Sequence, residues 1–141
     1  MLQGRDPIRD SKFGRLTVRA IMEKEVQSAE KEAEAEMLAS FMMDGFGSVP
    51  IIDMNNKLIG IVSEFDLLAA LRRGQKLNVI TAGEIMTLNP VSVTQDTNVM
   101  TLIDVLQNNH LIRVPVVDSA GKLIGIVARR DLLRGYLQAM T

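Results

Sequence analysis

The sequence predicts an α/β fold built from one unit used twice: two β-α-β-β-α repeats packed through their sheets about a pseudo-two-fold. Three observations lead there. The stretch VPIIDMNNKLIGIVSEFDLL, residues 49–68, returns 65 residues later as VPVVDSAGKLIGIVARRDLL, residues 114–133, with 12 of 20 paired positions identical. A repeat of this kind takes precedence over the reading of any single segment. Within each copy, VPII or VPVV and then LIGIV are unbroken, β-branched apolar runs, as expected of strands buried on both faces. A helical pattern follows each pair of runs, with Leu67, Leu68 and Leu71 in one copy and Leu132, Leu133 and Tyr136 in the other on one face.

Taken in order, residues 1–16 mix charge with Gly and Pro, lack periodicity and read as a flexible lead-in. Thr17–Met22 is a short helix or turn delivering the chain to a first strand near Val26. Residues 30–43, rich in Glu, Ala and Met, predict a helix with Ala33, Met37 and Phe41 at four-residue steps, ended by Asp44 and Gly45. Asp53–Lys57 and Asp118–Lys122 carry turn residues between the two apolar runs. Pro50 and Pro115 lack a ladder donor, so the opening end of that strand should be an edge or unpaired. Gly60 and Gly125 sit inside strands, where a missing side chain admits another backbone or a ligand.

The first repeat covers residues 17–74, residues 75–80 link onward, and the second repeat covers 81–141. In the second, Asn89-Pro90 forces an extended start to the strand Val91-Ser-Val-Thr94. Asp96 or Thr97 should cap a helix whose Val99, Leu102, Ile103 and Leu106 follow helical spacing. The final helix runs from about Arg129 to Gln138. A repeat near 60 residues buries only a thin core by itself, so one core fused across both repeats is expected.

Composition narrows the function classes. The chain has 141 residues, 47% hydrophobic and 23% charged, with a formal net charge of −1. That balance gives no reason to expect nucleic acid or an anionic membrane as partner. There is no apolar run long enough to span a bilayer and no signal-peptide pattern in the polar N-terminus, so the cytoplasm is the expected compartment. Zero cysteines and one histidine, His110, remove disulfides, thiolate catalysis and zinc-cysteine sites and leave no His cluster. No Ser-His-Asp arrangement, P-loop or HExxH motif is present, so an enzyme is not expected, and no catalytic cofactor or metal with it.

A VPVVD strand, a turn, then LIGIV and S-x-x-D-LL resembles the CBS domain, named after cystathionine beta-synthase. The upstream signature is present too, as Thr17-x-x-x-Ile21-Met22 and Thr81-x-x-x-Ile85-Met86. The resemblance covers about residues 17–139 and implies a stand-alone tandem pair, a homodimer, and a regulatory role. The implied ligand is an adenine nucleotide (AMP, ADP or ATP) in the cleft between repeats, with S-adenosylmethionine or NAD as alternatives. No effector domain is recognised in the 141 residues, so the output is expected through a partner protein in trans.

The chemistry centres on Ser63-x-x-Asp66, which follows a strand and opens a helix. One reading is a capping box, Ser63 accepting from a backbone N–H and the acid returning the contact. The other uses the same helix start, with its free N–H groups and positive dipole, for a phosphate. The resemblance implies that the Ser63 hydroxyl contacts phosphate and that Asp66 accepts from ribose hydroxyls. In the second copy Ala128 replaces the serine while Asp131 remains, which a capping box cannot explain, although a favourable interaction with the helix dipole still could. Arg129, Arg130 and Arg113 make that copy basic where the first has Glu64, Phe65 and Ser48. They are either an exposed charged face or phosphate ligands. The strands near Val26 and Val91, and Val49, Pro50, Val114 and Pro115, complete the ligand-lining set that the resemblance implies. Phe65 could favour a less charged ligand such as S-adenosylmethionine. Unequal sites follow.

Overall fold

The computed structural model describes residues 6–141. In chain order its elements are a 3-10 turn (Phe13–Arg15), α1 (Val18–Ile21), β1 (Ala29–Glu30), α2 (Ala35–Met43), β2 (Ser48–Ile52), β3 (Leu58–Ser63), α3 (Glu64–Arg72), α4 (Ala82–Ile85), β4 (Thr87–Leu88), β5 (Val93–Thr94), α5 (Val99–Asn108), β6 (Arg113–Val117), β7 (Leu123–Ala128) and α6 (Arg129–Ala139). The apolar runs become the antiparallel hairpins: β2 pairs with β3 in a sheet of order β1-β2-β3-β4, and β6 with β7 in a sheet of order β5-β6-β7. The turn after β2 is held by Asp53, whose side chain accepts from the N–H groups of Asn55 and Lys57 at 2.8 and 2.9 Å. Pro50 lies in the part of β2 that is paired to β3 alone, because β1 reaches only Ile51 and Ile52. Its missing N–H therefore costs no ladder bond on the β1 side.

The buried side chains fall in two clusters rather than the single fused core expected, and each draws on both halves of the sequence. One gathers Val18 and Ile21 with Val93, Val99, Leu102, Val114, Val116 and Val127. The other gathers Ile80 and Ala82 with Leu38, Val49, Ile51, Val62 and Leu67. The short helix before each repeat thus completes the core of the other. The compact units are cut accordingly: the described residues up to Glu25 with Ser92–Asp118 and Ile124–Thr141, and Val26–Val91 with Ser119–Leu123.

Backbone hydrogen bonds fix both docked segments in the same way. Val18 and Arg19 N–H donate to Thr97 and Gln95 carbonyls at 2.8 and 2.9 Å, as Ala82 and Gly83 donate to Ala33 and Lys31 at 2.8 and 2.9 Å. Glu23 and Ile126 then exchange N–H to carbonyl bonds at 2.8 and 2.9 Å, a short counterpart of the β3–β4 pairing. The glycines inside β3 and β7 give room for these segments. A Cβ at Gly125 would lie 2.8 Å from the Glu23 carbonyl oxygen, and one at Gly60 would lie 2.5 Å from the Met86 sulfur. The space they leave is taken by protein.

Several boundaries depart from the sequence reading. The lead-in is packed by residue 13, since Phe13 is buried with its ring 5.5 Å from that of Tyr136, edge to face; residues 1–5 of it lie outside the described residues. The first strand is Ala29–Glu30, not the vicinity of Val26, and its counterpart Val93–Thr94 is the second half of the run expected over 91–94. The two repeats differ by one residue here. Ala29 pairs with Ile51 and Val93 with Val116, so the strands are offset by 93 − 29 = 64 while their partners are offset by 116 − 51 = 65. Helix α2 accordingly has nine residues against ten in α5. It starts at Ala35 rather than Glu30 because Glu30 is held in the ladder, and it buries Ala35, Leu38 and Met42, with Ala33 and Phe41 partly buried against the same core and Met37 exposed.

The cap of α5 is Asn98, not Asp96 or Thr97: its side chain accepts from Met100 N–H at 2.8 Å and donates to the Gly14 carbonyl at 2.9 Å. Asp96 instead pairs with Arg19 at 3.2 Å. In α3 the buried residues are Leu67 and Ala70, and Leu68 and Leu71 face solvent.

A Gly125→Ala substitution should lower the unfolding free energy by about 1–3 kcal/mol, the usual cost of overpacking. The change should read as a lower urea midpoint with an unchanged slope.

Candidate ligand-binding site

The two helix starts carry the chemistry, and they are not alike. At the first, Ser63 ends β3 in an extended conformation, φ −104° and ψ 169°, and α3 begins at Glu64. The Ser63 hydroxyl oxygen accepts from Asp66 N–H at 3.2 Å, and Asp66 Oδ2 accepts from Ser63 N–H at 2.8 Å. This is the capping box, closed from both sides. The hydroxyl also donates to the same Oδ2 at 3.0 Å. Asp66 Oδ1 has no hydrogen-bond partner among the described residues, and the residue is half-buried. A carboxylate oxygen held this way, in the first turn of a helix, is an acceptor fixed in place and open to a hydroxyl from outside.

At the second helix start Asp131 keeps one half of the box. Its Oδ2 accepts from Ala128 N–H at 2.8 Å, while alanine offers no oxygen in return. The reciprocal contact therefore does explain the retained acid. Its Oδ1 is taken by the Arg134 guanidinium, whose same nitrogen also reaches Glu23 Oε1 at 2.9 Å. Asp131 is the one buried charged residue among those described, at 3% exposure. A buried carboxylate requires such a partner, since an unpaired buried charge is strongly destabilising. Both of its oxygens are occupied.

The other sequence-predicted residues separate. Val49, Pro50, Val114 and Pro115 are fully buried in β2 and β6, which leaves them no surface for a ligand. Val26 is half-buried and Val91 exposed, each just before a strand. Phe65 is 82% exposed on the first turn of α3. Arg130 is exposed, and Arg113 opens β6 half-buried. Arg129 lines a groove of about 640 Å³ with Ile103, Leu106, Gln107, His110 and Tyr136. Sequence reasoning missed Arg134 and Glu23. Arg134 was detectable, three residues after Asp131 on one helix face; Glu23 was not, because only the crossing of α1 to the other core brings it there.

Among the described residues no group of three or more His, Cys, Asp or Glu could hold a metal ion, and no helix is long and apolar enough to cross a membrane. Ala128→Ser should supply the missing cap and raise stability by about 1 kcal/mol, whereas Ser63→Ala should lower it by about 0.5–2 kcal/mol. Thermal melts of the two variants test the pair together.

The CBS domain model matches residues 18–73 and again residues 82–138. An uncharacterised 17.7 kDa protein of Acidianus ambivalens is 34% identical over 107 residues, 76% of this chain and 64% of its own length. The chloroplastic CBS domain-containing protein CBSX1 of Arabidopsis thaliana is 33% identical, over 73% of this chain and 54% of its own length. The chain thus spans about half to two thirds of these curated relatives. Among solved structures, CBSX2 in complex with AMP superposes with a TM-score of 0.79 at 32% identity, covering 89% of this chain and 99% of that one. The CBS domain pair of protein MJ0100, in complex with 5'-methylthioadenosine and S-adenosyl-L-methionine, gives 0.77 at 27% identity, covering 88% and 98%.

Proposed function

The chain belongs to the CBS domain family, matched twice in tandem, and we propose that it is a regulatory module that binds an adenosine-type ligand without turning it over. The observation that carries this reading is the open Oδ1 of Asp66 beside its capped Oδ2. A ribose diol needs a fixed acceptor, and the first turn of α3 adds unpaired N–H groups and a positive dipole for a phosphate or other anionic group. Two similar chains support the ligand class, one solved with AMP and one with S-adenosyl-L-methionine and 5'-methylthioadenosine. AMP, ADP and ATP head the list of ligands; S-adenosylmethionine and NAD are the alternatives, and the exposed Phe65 ring offers a cationic sulfonium an aromatic face. Binding would change the relative stability of two packings, which a partner protein in trans then reads. The compartment proposed is the cytoplasm.

A second reading has its own observation. Phe65, Leu68 and Leu71 on α3, and Leu133, Tyr136 and Leu137 on α6, leave large apolar side chains in solvent. A homodimer would cover them, and a module whose sites are vestigial would keep the dimer and lose the response.

Thermal unfolding against millimolar AMP, ATP, NAD and S-adenosylmethionine separates the two. A ligand at about 100 times its dissociation constant adds roughly 2.7 kcal/mol of stability. The shift should appear with at least one of them and vanish in Asp66→Asn. No shift with any, together with a dimer in sedimentation that Leu68→Glu plus Leu133→Glu converts to monomer, would favour the structural module.

A further inference from the structure

We propose that Arg134 sets the number of ligand sites on this chain, keeping the second helix start closed by occupying the Asp131 carboxylate. The inference rests on the diol-binding role proposed for the helix-start aspartate. Asp131 spends Oδ2 on Ala128 N–H and Oδ1 on Arg134, and Glu23 holds the same guanidinium nitrogen from its other side at 2.9 Å. The first repeat serves as an internal control. The residue 65 positions before Arg134 is Ala69, and the residue 65 positions after Glu23 is Leu88. Neither can form an ion pair, and Asp66 is left with an oxygen to offer.

The competition is unequal by chemistry. Arg134 is tethered in the same chain and presents guanidinium donors suited to a carboxylate. A ribose diol offers neutral hydroxyls, whose hydrogen bonds are weaker than charge-assisted ones. Displacing Arg134 would also separate it from a carboxylate that is 3% exposed, which is unfavourable unless the ligand replaces the charge. One adenosine-type ligand per chain is the consequence, seated by Asp66.

Calorimetric titration with AMP tests this. The wild-type chain should bind one AMP, and Asp66→Asn should bind none. Asp66→Asn combined with Arg134→Ala should regain one site, lost again on adding Asp131→Asn. The reverse transplant, Ala69→Arg with Leu88→Glu, changes two exposed positions and should weaken the wild-type site at least tenfold, which corresponds to about 1.4 kcal/mol.

Two AMP per wild-type chain, one of them lost on Asp131→Asn, would overturn the proposal. So would a transplant that leaves affinity unchanged, and this arm decides alone if the Arg134 variants do not fold. AMP binding to the Arg134→Ala chain but not to wild type would refute the Asp66 reading and uphold the closure. Binding to neither would refute both.

Discussion

The structure depends on an exchange of short helices between the halves of the sequence. Val18 and Ile21 lie in a core otherwise made by the second repeat, and Ile80 and Ala82 in one otherwise made by the first. Much else follows from it. Gly125 must be glycine because the Glu23 carbonyl oxygen approaches it, and Gly60 leaves the room that the Met86 side chain fills. Ala35 and Val99 open their helices where they do because their N–H groups donate to Ile80 and Leu16 carbonyls at 2.9 and 3.0 Å. A domain near sixty residues has little apolar area to bury, and one borrowed turn of helix is a substantial share of it.

Duplication gave two copies of one helix start, and their differences are confined to a few side chains. Ser63 closes a capping box and leaves Asp66 one free oxygen; Ala128 cannot, and Asp131 is neutralised by Arg134 instead. Both arrangements stabilise the first turn of a helix. Only the first leaves an acceptor facing outward. The same backbone thus supports a carboxylate with one oxygen unengaged and a carboxylate with both engaged, and the residue at the third position after the acid is Ala69 in one copy and Arg134 in the other.

Most of the fold was legible because its signal is repeated. The hairpins at 48–63 and 113–128, the helices after them and the cap at Ser63 are local features, written in alternation, turn residues and spacing. What failed was non-local. The start of α2 was misjudged because Glu30 looks helical in composition but is held in a parallel ladder by β2. The cap of α5 was placed one or two residues early because Asp96, Thr97 and Asn98 are all capping types, and only Asn98 is also tied to the Gly14 carbonyl, 84 residues away. Of the proposed site, Ser63 and Asp66 emerged from the motif, whereas the closure of Asp131 needs Glu23, which arrives through the exchanged helix. The first strand was placed near Val26 rather than at Ala29–Glu30, in the stretch where the two repeats differ most in sequence and by one residue in length.

The exchanged helices bear on how such a chain could arise. A single repeat carries a helix that its own core does not accept in this arrangement, and a core that lacks its last turn. Two separate copies could satisfy each other only by meeting in solution, at whatever concentration the cell maintains. Joining them by the few residues between Arg73 and Ile80 makes the partner permanent, at an effective concentration of about millimolar for a short tether. Gene fusion would then convert an association that dilution can undo into a folding step that it cannot, and would leave each copy free to diverge at its helix start.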